Sequence, residues 1–554
     1  MLPPVMLPIL LTWITQTAAL LGLGLALRRL LRLQTSGAEA CFQSFWLGWA
    51  FTLAFLQVWH LGLPVSATAT ALLLVAGVAG LIWNGRGLRR LIQAPSRRWL
   101  WGSPVVLLAI WLANLALAAP TNSDTGLYHL PTVRWLVSYP LVPGLGNLHG
   151  RLAFNSAHFL YVAALDVGMW VYRSQHLANG PLLLALMAQI LWYVSESLRS
   201  PRSLSWHTYF HVLLLAPSLH EVISHNIASP SPDLPVFIVG VLVWGELLAL
   251  WSGDLAEDEC AERLLMLGVL AAVGVVIKLS FAATAGVAGA LAMVVWIRVY
   301  RAKAFHFSIL ARAVVPAALL LLPWVARGVV LSGYMAYPST WPSLPVSWSV
   351  PPARVAEEAM WIRSWARLPG LPWQEVLGRT DWVLPWARRI VRAFVVGPPA
   401  SLAVLGGALW VWARRRDPLP PNHVPSPWLW LGGLVGVLGV WFFAAPDARF
   451  VGSTVWLLAS GVLCLALDPA RRSWGRLGLL VVTGVMSCLA LVWASSPVAY
   501  WVEPGPDGGL HPPPTVALQA LTTYSGDTVY RPREGGRAGM RPCLVRPTSI
   551  RNCV

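Results

Sequence analysis

Long apolar runs alternate along most of the chain with short polar segments. An α-helix needs about 20 apolar residues to cross a bilayer, and each run approaches that length. The pattern therefore predicts an all-α polytopic membrane protein with about 14 transmembrane helices. The predicted spans are, approximately, residues 7–27, 41–63, 65–83, 99–119, 177–198, 206–223, 233–251, 262–278, 280–298, 307–327, 394–412, 426–445, 449–467 and 476–495.

One further apolar stretch, residues 152–170, is interrupted by Asn155, His158 and Asp166. Charged groups inside a bilayer are costly, so we predict an interfacial or re-entrant helix here rather than a span. Leaving this stretch out of the spans places the arginines of residues 199–202 on the cytoplasmic side.

Most arginines lie in short clusters between the predicted spans. With the N-terminus outside, the alternation of spans puts these clusters on one side, and an excess of Arg and Lys marks the cytoplasmic side. The clusters are residues 28–32, 86–98, 298–303, 414–416 and 471–476. The loops opposite to them are then on the outer face.

The predicted organisation has five parts: an N-terminal three-helix transmembrane segment (1–98), a transmembrane core (99–327) that contains a large outer loop (120–176), an outer cap (328–393), C-terminal transmembrane helices (394–495) and an outer tail (496–554). The cap is rich in Trp, Pro and Arg, which favours an ordered set of interfacial helices and turns. The tail is rich in Gly and Pro, which predicts a small turn-rich module. Its Cys543 and Cys553 are available for a disulfide bond.

Composition limits the classes of function. Of the 554 residues, 56% are hydrophobic and 11% are charged, whereas soluble proteins have about 25% charged residues. The arginine clusters account for the formal net charge of +17, and no basic patch is interleaved with aromatic residues, so we expect no nucleic-acid partner. The sequence has no Walker loop, HExxH motif or GxGxxG after a strand, which leaves soluble nucleotide-dependent enzymes without support.

Candidate chemistry begins in the polar stretch 121–151, directly after the span at 99–119. Asp124 would emerge at the membrane surface, where partial desolvation raises the basicity of a carboxylate that accepts a proton or holds a metal. Tyr128 would share a helix face with Asp124, and His129 would lie beside it. The alternative is that this stretch is an ordinary turn and that His129 is a structural hydrogen-bonding residue.

Asp233 stands at the outer mouth of a later span, on the same predicted side as Asp124. Two carboxylates from different outer loops could hold a divalent metal or divide the acid and base roles. The alternative is that Asp233 caps the helix that it begins.

Lys278, Arg327 and Arg449 fall at outer ends of predicted helices, where the distribution of positive charge disfavours them. A phosphate group would provide a reason, because such cations stabilise negative charge in a site of low dielectric constant. The alternative is that each side chain snorkels to ordinary phospholipid.

The order of these features resembles the GT-C class of membrane glycosyltransferases, which take sugars from polyprenyl-phosphate carriers on the outer face of the membrane. That class carries a catalytic acid in its first large outer loop, followed by interfacial helices, and Asp124 with Tyr128 and His129 is similar to that pattern. Asp233 resembles the acid of a later outer loop. Residues 446–450, Pro-Asp-Ala-Arg-Phe, resemble an Arg-Tyr or Arg-Phe element at an outer helix end.

Residues 327–338 contain the short motifs Arg-Gly, Ser-Gly-Tyr and Tyr-Pro. In these motifs the chain resembles a related bacterial membrane-protein family with no assigned substrate. Its members often end in a cysteine-containing tail. Three features depart from the usual GT-C pattern: a single Asp stands in place of paired acids, three helices precede the catalytic loop, and the tail is short.

The resemblance implies an inverting glycosyltransferase in the bacterial inner membrane with a periplasmic active face. Its implied partners are a polyprenyl-phosphate-linked sugar donor, a glycan or lipid acceptor and membrane lipids. The implied roles are catalysis by Asp124, as general base, and His129; substrate or phosphate binding by Tyr128, Lys278, Arg327 and Arg449; and binding of a divalent metal by Asp233. The cap would exclude water from the site.

Three alternatives remain open. A lipid-linked glycan ligase or polymerase would depend on cap arginines such as Arg354, Arg363 and Arg379. A transporter would need a polar path across the bilayer, against which the scarcity of ionisable residues within the spans counts. A noncatalytic assembly protein could retain the same architecture.

Overall fold

The computed structural model of the chain describes residues 5–85, 99–199, 206–223, 227–252, 256–300, 307–416, 427–467, 473–493, 501–505, 509–512, 518–522 and 528–532. Within these ranges the chain is helical apart from turns and one two-stranded hairpin. The arginine clusters at 86–98 and 301–303 and the cysteines Cys543 and Cys553 lie outside the described residues.

The helices of the first half, in chain order, are α1 (Met6–Leu30), α2 (Gly37–Trp59), α3 (Ala67–Trp83), α4 (Trp99–Leu115), α5 (Leu130–Ser138), α6 (Ala157–Ala164), α7 (Asn179–Arg199), α8 (Trp206–Leu213), α9 (Leu215–Ile223), α10 (Asp233–Ser252) and α11 (Glu257–Ile277). Single helical turns occur at Thr125–His129, Leu145–Asn147, Gly150–Ala153, Gly168–Trp170, Ser174–His176 and Leu279–Phe281.

The second half continues with α12 (Ala282–Tyr300), α13 (Phe307–Ser332), α14 (Pro352–Arg367), α15 (Trp373–Val376), α16 (Val383–Ile390), α17 (Gly397–Arg416), α18 (Pro427–Ala444), α19 (Ala448–Val451), α20 (Thr454–Leu467) and α21 (Ser473–Trp493). The hairpin pairs β1 (Leu518–Thr522) with β2 (Thr528–Pro532) in antiparallel register, Leu518 opposite Pro532.

Eight helices among the described residues are long and apolar enough to cross a membrane. They are Met6–Leu30, Gly37–Trp59, Ser174–Leu198, Asp233–Trp251, Asp258–Ile277, Leu279–Ile297, Ala311–Ser332 and Gly475–Val492. Shorter apolar helices occupy Ala67–Trp83, Gly102–Leu115, Trp428–Ala444 and Thr454–Leu467. The prediction of a helical membrane protein is thus confirmed.

Two of the predicted spans are each divided into two helices. The run 206–223 forms α8 and α9, which separate at Leu214. Pro217 has no backbone N–H to donate to the carbonyl of Leu213, four positions before it, so one continuous helix would lack that hydrogen bond. The run 449–467 breaks at Gly452, whose φ of 53° is unfavourable for residues with a side chain.

The stretch 152–170, predicted not to span, forms only the eight-residue helix α6 with turns on either side. At 1.5 Å per residue this helix is roughly 12 Å long, which is too short to cross a bilayer. All of its side chains are buried by protein, including His158. The stretch therefore has no helix long enough to span, and its interfacial or re-entrant placement stays a prediction.

Helices α1, α2 and α3 approach one another closely through glycines. A Cβ on Gly24 of α1 would lie 1.6 Å from the carbonyl oxygen of Ser44 in α2. A Cβ on Gly77 of α3 would lie 2.6 Å from the backbone of Ala19 in α1. Small residues at such contacts let helix backbones pack directly, which is a common device between membrane helices.

The antiparallel pair α10 and α11 carries charged networks at opposite ends. At one end, Arg263 of α11 contacts Glu39 of α2 at 3.0 Å and Glu246 of α10 at 3.2 Å. Glu262 accepts from the backbone N–H of Thr35, in the loop after α1, at 3.0 Å. At the other end, Asp233 and Lys278 pair with each other. The 20 residues of α10 separate these ends by roughly 30 Å.

The cap consists of α14, α15 and α16 joined by turns, as its composition predicts. Its first part packs on the 120–176 loop, where Gly144 N–H donates to the Val330 carbonyl at 2.8 Å and Asn147 donates to the Trp348 carbonyl at 2.8 Å. The start of the tail docks on the end of α4 through two 2.8 Å hydrogen bonds between Asn114 and the Val502 backbone.

Candidate functional site

Asp124 follows α4 in a short loop and directly precedes the helical turn Thr125–His129. Its backbone N–H donates to the Asn122 side chain at 3.0 Å, the Asx-turn arrangement that the local Asn-Ser-Asp-Thr-Gly sequence favours. The expected turn chemistry is present, and it leaves the Asp124 carboxylate free for other partners.

Two arginines from distant parts of the chain bind the Asp124 carboxylate. Arg151, in the turn Gly150–Ala153, approaches Oδ1 at 3.1 Å, and Arg449, in α19, approaches Oδ2 at 2.8 Å. The Asp124 side chain is 15% exposed and that of Arg449 is 41% exposed. Asp124 is therefore a mostly buried carboxylate whose cationic partner reaches the surface.

The short helix α19 holds Arg449 in place. Asp447 caps this helix, accepting from the Arg449 backbone N–H at 3.0 Å, and also lies 3.7 Å from the Arg449 Nε. On the cap side, Arg389 lies 3.8 Å from the second Asp447 oxygen. The cap, the C-terminal helices and the 120–176 loop thus meet at one set of charges.

Asp233 and Lys278 form a second ion pair beside the first. Asp233 begins α10, Lys278 ends α11, and their side chains are joined directly. The Lys278 ammonium also lies 4.6 Å from the centre of the Phe450 ring, next to Arg449 in sequence. Both Asp124 and Asp233 raise the pKa of Arg449 after burial has lowered it, so the two pairs share one electrostatic environment.

A buried polar loop between α9 and α10 fixes the start of α10 against the Asp124 loop. The Thr125 and Ser229 hydroxyls are 2.9 Å apart, and the Asn179 amide donates to the Ser229 carbonyl at 2.8 Å. The Asp233 N–H in turn donates to Ser231 at 3.3 Å. These contacts position the two acidic residues relative to each other.

The charge state of Asp124 follows from its partners. Burial alone raises its pKa, but Arg449 and Arg151 together with His129 lower it by more, so the pKa lies below the ordinary value of 3.8. The sequence led us to expect that desolvation would raise the basicity of Asp124. The arginines reverse that effect, and Asp124 is ionised at neutral pH.

His129 and Tyr128 lie near Asp124 among aromatic side chains. His129 is 1% exposed, and burial lowers its pKa to about 4 although Asp124 and Asp233 favour its charged form. The Tyr128 ring contacts Phe154 edge-on at 5.5 Å, and the Arg151 guanidinium lies 5.7 Å from its centre. The His129 imidazole is therefore neutral at pH 7, and it lies close enough to the charged groups to feel their electrostatic field.

The structure brings six of the seven residues singled out from the sequence to one place: Asp124, Tyr128, His129, Asp233, Lys278 and Arg449. Arg327 lies apart, behind Phe154, with hydrogen bonds to Asn155 at 3.1 Å and to His60 at 2.7 Å. The sequence analysis had grouped it with Lys278 and Arg449.

Arg151 and Glu358 are members of the site that the sequence analysis did not assign. Arg151 lies within the same polar stretch as Asp124, which was an available signal. Glu358 in α14 pairs with the Arg151 Nε at 3.4 Å, and burial raises its pKa against the opposing effect of Arg151. Glu358 is one of several acids in the cap, and nothing in the local sequence distinguishes it.

In this arrangement both carboxylates are paired with cations. Asp233 is paired with Lys278, and Asp124 is paired with two arginines. In the part of the chain that the structure describes, no three His, Cys, Asp or Glu side chains are grouped in a way that could hold a metal ion. A divalent metal at Asp233 stays a prediction.

Comparison with known proteins gives one match. A family model described as "Domain of unknown function (DUF8201)" matches residues 6–456, which include Asp124, Asp233, Lys278 and Arg449. No curated protein and no solved structure matches the chain.

Proposed function

The chain belongs to the DUF8201 family, a domain of unknown function, and we propose from the arrangement around Asp124 that it is an inverting membrane glycosyltransferase. Its donor would be a polyprenyl-phosphate-linked sugar and its acceptor an envelope glycan or lipid. The observation that carries the proposal is a buried carboxylate held by two arginines beside a lysine, at the end of a bundle of apolar helices.

The cations fit the phosphate of such a donor. Arg449 is more exposed than Asp124, at 41% against 15%. An Arg guanidinium can donate two parallel hydrogen bonds to a phosphate, as it can to a carboxylate. A lipid-borne phosphate that arrives at the surface would compete with Asp124 for Arg449. Lys278, beside Phe450, would supply the second positive charge.

Donor binding would then activate Asp124. Because Arg449 is a main cause of the lowered pKa of Asp124, its transfer to the phosphate would raise that pKa and make the carboxylate a better base. The base would thus become effective only when the donor is in place, which limits unproductive hydrolysis.

In the proposed step, the acceptor oxygen attacks the anomeric carbon and forms the new glycosidic bond. Its proton passes to Asp124, the bond between the anomeric carbon and the phosphate oxygen breaks, and the electron pair leaves with polyprenyl phosphate, which Arg449 and Lys278 neutralise. Attack from the side opposite the leaving group inverts the configuration at that carbon. Neutral His129 would position the acceptor or Asp124 rather than supply charge.

The proposal also includes how the chain is arranged in the membrane. We place about 14 transmembrane helices in a GT-C-like arrangement, with the Asp124 end on the periplasmic face of the bacterial inner membrane. Charged groups lie at both ends of the α10–α11 pair, and this supports the assignment. Asp233 and Lys278 lie at one end, and the Arg263 network lies at the other.

The test is mass analysis of envelope glycans from a strain that lacks the gene, complemented with wild type or with variants. We expect Asp124→Asn to lose the transferred sugar and Asp381→Asn to retain it. Asp381 is the matched control, because it pairs with Arg379 on the surface of the cap and is 60% exposed.

The alternatives give different outcomes in this assay. A ligase or polymerase that depends on cap arginines would lose its product with Arg363→Ala but not with Asp124→Asn. A noncatalytic assembly protein would retain its phenotype with Asp124→Asn. Either result would overturn the assignment of Asp124 as the base.

A further inference from the structure

A second polar centre lies beside the Asp124 site, at the C-terminal ends of α2 and α13. Arg327 of α13 is 3% exposed and lines a small pocket that is open at its mouth and encloses about 20 Å³. Its neighbours include His60 at the end of α2 and Asn155 before α6. Phe154 separates this pocket from Tyr128.

The described partners of Arg327 are neutral. Its Nε donates to the Asn155 side chain at 3.1 Å, and a terminal nitrogen donates to His60 Nδ1 at 2.7 Å. His60 Nε2 lies 3.1 Å from the Tyr139 carbonyl, to which only a protonated Nε2 can donate. Since Nδ1 accepts from Arg327 while Nε2 carries the proton, the imidazole is the neutral tautomer.

No acidic side chain among the described surroundings cancels the charge of Arg327. None of the described residues that line the pocket is acidic, and no ion pair to Arg327 occurs among the described side chains. A buried cation without a counter-ion is costly, so buried charges are normally paired. The two hydrogen bonds use two of the five N–H donors of a guanidinium, which leaves donors for an added acceptor.

The rest of the pocket is mostly apolar. Leu141, Val142, Leu145 and Leu331 line it together with Trp135, and these side chains suit a hydrocarbon rather than a sugar. The positive charge of Arg327 in a mostly apolar pocket matches a molecule with one anionic end and an apolar body.

We propose that this pocket binds the anionic headgroup of an amphiphile, with Arg327 as the anchor. The headgroup is a phosphate or a carboxylate, both of which accept paired hydrogen bonds from a guanidinium. The site is separate from the Asp124 cluster, and the inference does not rest on sugar transfer.

The test measures equilibrium binding of three radiolabelled probes, dodecyl phosphate, laurate and dodecanol, to the full chain in phosphatidylcholine nanodiscs, with empty nanodiscs subtracted. We expect wild type to bind at least one anionic probe more tightly than dodecanol. Arg327→Gln should weaken anionic binding by roughly tenfold or more, as expected for the loss of a charge-assisted hydrogen bond. Arg312→Gln, an exposed position on the same helix, is the matched control and should change binding by less than about twofold.

Folding is checked separately by elution volume and thermal unfolding. Because Arg327→Gln removes an uncompensated buried charge, we expect it to be at least as stable as wild type. If it does not fold, Val142→Trp decides, since it fills the pocket without removing Arg327 and should cause the same loss of binding.

The pattern of probes identifies the headgroup. Loss confined to dodecyl phosphate assigns a phosphate, loss confined to laurate assigns a carboxylate, and loss of both assigns a site for either. Equal binding of the anionic probes to wild type and to the folded Arg327→Gln or Val142→Trp variant would overturn the proposal. So would binding of dodecanol as tight as that of both anions.

Discussion

Arg449 and Asp124 are 325 positions apart in the sequence and are joined by a 2.8 Å hydrogen bond between Nη1 and Oδ2. Asp124 belongs to the loop after α4, and Arg449 belongs to α19, near the end of the helical part of the chain. The candidate site therefore exists only when the 120–176 loop and the C-terminal helices are packed together. The arrangement of its charged groups depends on this contact.

We expect the contribution of Asp124 to stability to depend on pH. Its pKa in the folded protein lies below its ordinary value of 3.8, so the unfolded chain takes up the proton first as the pH falls. The stabilisation is complete well above pH 3.8 and is lost as the pH falls through the folded-state pKa. Asp124→Asn should cost about 1 kcal/mol at pH 6, because its arginine partners are partly exposed.

The measurement is denaturant-induced unfolding of wild type and Asp124→Asn in detergent at pH 6 and pH 3. The difference in the free energy of unfolding should narrow at the lower pH. Asp381→Asn, in an exposed pair, serves as the control and should show little difference at either pH. A difference that stays constant would show that the arginines do not lower the pKa of Asp124.

Asp233 and Lys278 should behave as a coupled pair. Both side chains are more than four-fifths buried, at 16% and 18% exposure, so removing one partner leaves the other charge without its direct counter-ion. Asp233→Asn or Lys278→Gln should each lower the free energy of unfolding by about 3 kcal/mol. The double variant should lose less than the sum of the single losses, and thermal unfolding of all four proteins measures the coupling. Additive losses would indicate that the two groups do not interact.

Much of the helical framework was predictable, because the length of an apolar run determines where a buried helix lies. The run 233–251 corresponds to α10 (Asp233–Ser252) with a difference of one residue at its end. The division of the run 206–223 was missed although Pro217 carried the signal, since the apolar pattern is continuous through Leu214. Gly452 carried a similar signal for the break before α20.

The site was predictable only in part. Alternation of the predicted spans led us to expect Asp124, Asp233, Lys278 and Arg449 on one face, and the structure brings these four residues together. The alternation does not indicate which ends are neighbours within that face. Arg327 was therefore grouped with the same cations, whereas the packing of α13 against α2 brings it to His60 instead. The pairing of Glu358 with Arg151 likewise depends on how the cap folds over the loop.

His129→Gln should make the protein more tolerant of acid. Burial lowers the pKa of His129 from 6.5 to about 4, so the unfolded chain binds a proton between these values while the folded chain does not. Stability is lost as the pH falls from 6.5 towards 4, by about 2 kcal/mol at pH 5. Relative to wild type, His129→Gln should gain stability between pH 7.5 and pH 5, measured by denaturant unfolding. An unchanged difference would mean that His129 takes up its proton at the same pH in the folded and the unfolded chain, so that burial does not lower its pKa.

Gly24→Ala should destabilise the packing of α1 on α2. The added methyl group would meet the Ser44 carbonyl oxygen at 1.6 Å, and this backbone atom cannot move aside as a flexible side chain could. We expect a loss of about 3 kcal/mol, seen as a lower thermal midpoint. The matched control is Gly432→Ala in α18, where a Cβ would have no neighbour within 4 Å. That variant should be neutral or stabilising by up to about 1 kcal/mol. Equal effects of the two substitutions would contradict direct backbone contact between α1 and α2.

The two ends of α10 should be accessible from opposite sides of the membrane. The cap packs on the Asp124 loop, and Trp341 within it is 79% exposed. Ser36 lies in the loop whose Thr35 contacts Glu262, at the other end of the α10–α11 pair, and is also exposed. In a cysteine-free background, a membrane-impermeant maleimide should label Trp341→Cys in intact cells and Ser36→Cys only after the membrane is opened. Labelling of both positions in opened membranes serves as the control for reactivity. If Ser36→Cys alone reacts in intact cells, the Asp124 site faces the cytoplasm and cannot meet a donor presented on the outer leaflet. If both positions react in intact cells, the two charged networks are not separated by a bilayer.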